Sequence, residues 1–123
     1  MIHPVKQIIA EYASEWKLRE WINKDKIDWD WLSGNANYGV IRLLEANQDK
    51  INWKWLSYNI NDGAIRLLEA NQDKIDWLNL SRNSNDGAIK LLEANQDNIN
   101  WRGLSTNPSI FKLNTNELLG AFN

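Results

Sequence analysis

Few side chains in this sequence are equipped for catalysis. The single histidine, His3, precedes the first expected helix and has no positioned partner as a general base. Glu45, Glu69 and Glu93 return at 24-residue intervals, and carboxylates are common general acids and bases. That work needs two groups converging on one reacting bond, whereas one carboxylate per interval makes a ladder on a solvated face. Cysteine is absent, which removes a thiolate nucleophile, a thiolate metal site and a disulfide framework. The two "NDGA" stretches at 61–64 and 85–88 are not phosphate loops; they read as helix entries where Gly63 and Gly87 ease close packing. A non-enzymatic protein without metal or cofactor is the expectation.

Binding chemistry is better supplied. Asp30, Lys54, Leu78 and Arg102 form a varying column just after a recurring Trp, and Gly34, Tyr58, Arg82 and Thr106 form another just after a recurring Ser. The two columns are four residues apart on one helix and so share a face. Trp31, Trp55, Asn79 and Gly103 make a third varying column beside them. Trp, Tyr and Arg dominate binding hot spots. The candidate partner-binding set is therefore Trp31, Lys54, Trp55, Tyr58, Arg82 and Arg102. The competing reading is drift at tolerant surface positions, and a contiguous patch of exposed aromatics is what distinguishes a partner site from drift.

These columns exist because the chain repeats itself. Trp29, Trp53, Trp77 and Trp101 are 24 residues apart, as are Ile27, Ile51, Ile75 and Ile99, Leu32, Leu56, Leu80 and Leu104, Ser33, Ser57, Ser81 and Ser105, and Asn35, Asn59, Asn83 and Asn107. Within one unit, Asp49 reads as the N-cap of a first helix near 50–57. Asn59 reads as the cap of a second helix over 60–70, with Asp62 in its first turn. Asn71 closes that helix in the left-handed conformation that Asn tolerates. Asn107-Pro108 is the matching start in the last unit.

The second helix is amphipathic: Ala64, Ile65, Leu67 and Leu68 share one face, and Asp62, Arg66 and Glu69 the other. Asp62–Arg66 and Asp86–Lys90 are i,i+4 ion pairs on its solvated side. The first helix carries apolar residues nearly all round, Ile51, Trp53, Trp55 and Leu56, which predicts an enclosed inner layer with the recurring Trp as core. Two helices this short cannot bury their own apolar faces, so the units must stack and share one core.

The expected architecture is all-α: a single domain over 1–123, with a capping helix in 1–24, about four 24-residue two-helix repeats over 25–106, and a C-terminal cap over 107–123. Pro4, Val5, Ile8, Ile9, Tyr12 and Trp16 mark the N-terminal helix, and Phe111 and Leu113 are expected to fold over the last unit.

A chain of 123 residues with 43% apolar residues and eight Trp can build such a core. A net charge of -2 creates no general field for a phosphate backbone. The N-terminus lacks a signal-peptide pattern, and no apolar run approaches the roughly 18 residues of a membrane span. A cytoplasmic protein is expected.

"LLEANQDKINWKWLSYN" (43–59), its copies at 67–83 and 91–107, and "NPSIFKLN" (107–114) resemble the short tandem helical repeat proteins common in giant DNA viruses, with their "LLExNxDKIDWxxLSxNPxAI" pattern. The likeness covers about 21–114, with one departure: "NINDGAI" (59–65) is two residues longer than the family's "NPxAI". The family has no assigned activity, so the resemblance implies architecture alone. A fainter likeness, in period only, is to leucine-rich-variant repeats. Three functions fit: a non-catalytic protein-binding scaffold, a small viral or phage inhibitor of a host or defence protein, or a nucleic-acid-binding module aligning Lys54, Arg82 and Arg102.

Overall fold

The computed structural model describes residues 16–114, and every regular element among them is helical. The first unit contains a 3-10 turn (Lys24–Lys26), a short helix α1 (Trp29–Ser33) and a longer helix α2 (Tyr38–Glu45). The second repeats this with a turn at Gln48–Lys50, α3 (Trp53–Ser57) and α4 (Asp62–Ala70). The third has a turn at Gln72–Lys74, α5 (Trp77–Ser81) and α6 (Asp86–Ala94). The fourth has a turn at Gln96–Asn98 and α7 (Trp101–Leu104), then a final 3-10 turn, Pro108–Ile110, in place of a long helix. Short helices pack on short helices and long on long, giving two layers, with the Pro108–Ile110 turn against α6. This is the expected solenoid of stacked helical repeats.

The helix starts are shifted from those expected. Asn52 caps α3, its Oδ1 accepting from the Trp55 amide at 3.1 Å, and Asp28, Asp76 and Asn100 cap the other short helices. Asp49 lies inside the preceding 3-10 turn, so α3 starts at Trp53. Likewise the cap of α4 is Asn61, which accepts from the Gly63 amide at 2.8 Å, and Asn59 is used elsewhere. In both places two candidate side chains lie within three residues, and backbone geometry selects the later one. Asn71 does end α4, but at φ -138° and ψ 53°, outside the left-handed region. Its side chain instead donates to the Leu67 carbonyl at 2.9 Å, satisfying a last-turn acceptor directly.

The long helices bury the face their pattern predicts. Ile41, Leu44, Ala64, Ile65, Leu68, Ala88 and Leu92 are buried, and Arg42, Glu45, Arg66, Glu69, Lys90 and Glu93 face solvent. They approach closely because of glycine: a Cβ on Gly63 would lie 2.8 Å from Ile41 Cγ2, and one on Gly87 would lie 2.9 Å from Ile65 Cγ2. Asp62 differs from expectation, accepting from Asn85 Nδ2 of the next unit at 2.7 Å instead of pairing with Arg66.

The short helices are not enclosed. Leu56 and Ser57 are fully buried, but Lys54 and Trp55 face solvent. A five-residue helix makes about 1.4 turns, so two stacked neighbours and one long helix leave a side open.

The recurring Trp is correspondingly an edge residue. Trp29, Trp53 and Trp77 are partly buried against the core, and the lysine of the following turn covers two of them: Lys50 Nζ lies 5.2 Å from the Trp29 ring centre and Lys74 Nζ 5.0 Å from that of Trp53. Trp101, in the last unit, is 65% exposed. Trp53→Ala is therefore expected to lose about 2 kcal/mol, reduced from the full cost of removing a buried aromatic, and Trp101→Ala less than about 1 kcal/mol. Urea melts of the two variants check this contrast.

Residues 16–23 and the segment after Pro108–Ile110 depart from expectation. The proposed capping helix falls largely on residues 1–15, outside the described residues. Its described part, 16–23, is not helical and holds a turn closed by the Ile22 amide on the Arg19 carbonyl at 3.0 Å. Phe111 and Leu113 do not fold over α7: they are 83% and 70% exposed. The chain leaves the Pro108–Ile110 turn in an extended conformation, which carries both side chains off the stack. No helix among the described residues is long and apolar enough to cross a membrane.

Candidate functional site

The varying columns sit on a backbone held by a ladder of asparagines. Asn83 is fully buried; its Nδ2 donates to the carbonyls of Ser57 (3.0 Å) and Asn59 (2.9 Å), and its Oδ1 accepts from the Asn85 amide (2.9 Å). Asn59 does the same to Ser33 and Asn35 one level earlier, and Asn107 to Ser81 and Asn83 one level later. A serine ladder runs alongside. The hydroxyls of Ser33, Ser57 and Ser81 accept from the amides of Asn52, Asp76 and Asn100 in the next unit, each at 2.9–3.0 Å. No buried side-chain nitrogen or oxygen among the described residues lacks a partner.

This ladder fixes the second column. The carbonyls on either side of Tyr58 are both held by Asn83, and those on either side of Arg82 by Asn107. Both residues are the C-caps of their short helices, so they occupy equivalent places one level apart. The Arg82 guanidinium lies 5.5 Å from the centre of the Tyr58 ring, in cation–π contact.

The third column is divided in its role. Trp31 and Trp55 are 72% and 40% exposed and stack on each other, with ring centres 5.8 Å apart and planes inclined by 20°. Asn79 is buried and donates to the Lys54 carbonyl at 3.0 Å, so it positions the first column. Gly103 is also buried, and a Cβ there would come within 3.1 Å of the Leu78 carbonyl oxygen and 3.2 Å of Arg82 Cγ.

Together these contacts link the four units. Trp31 stacks on Trp55, which stands three residues before Tyr58 on α3; Tyr58 carries Arg82, and Arg82 lies against the Gly103 backbone beside Arg102. Lys54, Leu78 and Arg102, of the first column, are exposed as well. All six residues of the candidate set are exposed and belong to the short-helix layer. The band thus holds two inter-unit contacts, a stacked indole pair between the first and second units and a cation–π pair between the second and third.

The other candidates do not converge. His3 lies outside the described residues. Glu45, Glu69 and Glu93 are exposed, one on each long helix. No group of three or more His, Asp or Glu among the described residues is placed to hold a metal ion.

The ladder is what sequence reasoning missed. Asn59, Asn83 and Asn107 recur in register with Ser57, Ser81 and Ser105, and repetition of a polar residue at constant spacing is the signal of one buried hydrogen bond repeated. Asn79 carried no such signal, because Trp31 and Trp55 precede it in its own column. Compared with known proteins, the chain matches no family model, no curated protein and no solved structure.

Proposed function

We propose that the protein is a non-catalytic scaffold that binds a protein partner through the short-helix band of Trp31, Lys54, Trp55, Tyr58, Arg82 and Arg102. The observation supporting this reading is contiguity: exposed Trp and Tyr rings from different units touch a neighbour across the unit boundary instead of lying scattered. Scattered exposed apolar residues are ordinary, whereas a contiguous patch rimmed by charge is a hallmark of recognition. Rigidity supports it further, since ladder bonds hold the backbone on both sides of Tyr58 and Arg82, and a preorganised face loses less entropy on binding. The long-helix face reads nearly the same in every unit and so offers no unique register; the band gives each level its own chemistry.

Photo-cross-linking in the cells that make the protein tests this. A benzophenone side chain replacing Tyr58 is expected to capture a discrete protein, and the same probe replacing Arg66 is expected to capture none. Capture from position 66 and not from 58 would place the interface on the long helices.

A further inference from the structure

We infer that the segment bound on this band is an acidic peptide, with aromatic or aliphatic side chains toward the α1–α3 end and carboxylates toward the α5–α7 end. The inference rests on the scaffold reading and adds the partner's chemistry.

Charge differs between the varying columns and the long-helix face. The two varying columns of the short-helix layer carry Lys54, Arg82 and Arg102 against Asp30; Asp28 and Asp76 also belong to this layer, at the helix N-caps, where their carboxylates accept from first-turn backbone amides. The exposed long-helix positions carry Glu45, Asp62, Glu69, Asp86 and Glu93 against Arg42, Arg66 and Lys90. A local cationic stripe on an acidic protein attracts anionic segments to that stripe and repels them elsewhere.

The band is also polar along its length. Trp31 and Trp55 supply a stacked indole surface at the first two levels, with Asp30 and Lys54 beside them cancelling in charge. The third and fourth levels carry no indole in that column, only buried Asn79 and Gly103, and there Arg82 and Arg102 stand exposed without a carboxylate in either charged column. Leu78, 43% exposed, is the one large apolar side chain of these columns at the last two levels, so a ligand that matches is mainly apolar at one end and anionic at the other. A peptide meets this description better than single-stranded nucleic acid, whose charge is uniform along its length. The two indoles, moreover, stack on each other and would have to open to sandwich a base.

The probes are random copolymers of glutamate and tyrosine, the corresponding lysine–tyrosine copolymer, and a thymidine oligonucleotide. Binding is read by titration followed through the indole resonances of Trp31 and Trp55, assigned with Trp31→Phe and Trp55→Phe. The glutamate copolymer is expected to shift both resonances, with an affinity that falls as salt rises. The Lys54→Glu/Arg82→Glu variant is expected to bind it roughly tenfold more weakly, and Arg66→Glu/Lys90→Glu to bind it as the parent does. All these residues are exposed, so unchanged melts confirm that each variant folds.

If the lysine copolymer shifts the indoles and the glutamate copolymer does not, the acidic identity is wrong and the face survives. If the oligonucleotide binds more tightly than the glutamate copolymer, the occupant is nucleic acid and the inference fails. An absence of copolymer binding overturns the acidic peptide while the Tyr58 cross-link still judges the scaffold. Loss of binding only in the Arg66→Glu/Lys90→Glu variant overturns both readings.

Discussion

Asn83→Asp is expected to destabilise the protein by about 3 kcal/mol or more, although the substitution changes one amide nitrogen to oxygen. The side chain is fully buried, and its Nδ2 faces the carbonyl oxygens of Ser57 and Asn59 at 3.0 and 2.9 Å. A carboxylate there removes both donors, leaves two acceptors unpaired and sets negative oxygen against them. It keeps the bond from the Asn85 amide, which needs only an acceptor. Burial against carbonyls disfavours the charged form, so the introduced acid has a folded-state pKa above its unfolded value. The folded variant then binds the extra proton more readily, and its stability rises as pH falls through that pKa. Asn35→Asp is the control, because Asn35 is exposed at the first level and is expected to lose less than about 1 kcal/mol. Denaturant melts of both variants at two pH values measure the contrast; equal losses would mean that the ladder is not what joins the units.

Leu68→Ala is expected to lose about 3 kcal/mol. Leu68 is fully buried on α4, in the second of the four units. Because each unit touches only its neighbours, a lesson of linear stacks is that position along the rod matters as much as burial at the site. A cavity at Leu68 weakens a unit with partners on both sides, whereas Leu104→Ala removes a partly buried side chain at the last described short helix and is expected to lose less than half as much. Calorimetry should also show a broader transition for Leu68→Ala, as the two ends of the stack uncouple. Equal, sharp transitions for both variants would contradict the linear picture.

Much of this fold is legible in one dimension because the repeat makes the sequence its own alignment. Ile65, Leu67 and Leu68 opposite Arg66 and Glu69 identify the buried face of α4 without coordinates, since a 3.6-residue period admits only one grouping. Gly63 and Gly87 were also readable, as the positions where helices meet closely. The caps were not. Asp49 and Asn52, or Asn59 and Asn61, are equally good capping side chains a few residues apart, and the choice depends on where the backbone turns. Phe111 and Leu113 depart from expectation because apolarity states a preference for burial without supplying a surface to be buried against.

The candidate face divides in the same way. By itself the sequence determined the 24-residue period, the helical class, and the columns in which the units differ, all of which follow from residue spacing within a few turns of chain. Only the tertiary structure decided that Asn59 and Asn83 are ladder rungs instead of caps, that Asn79 supports Lys54 instead of facing a partner, and that Trp31 meets Trp55 as Arg82 meets Tyr58. Each of these joins residues about 24 apart in the chain. Spacing places such residues at equivalent positions of neighbouring units, but the twist and rise between units, which no local pattern encodes, determine which side chains come within reach.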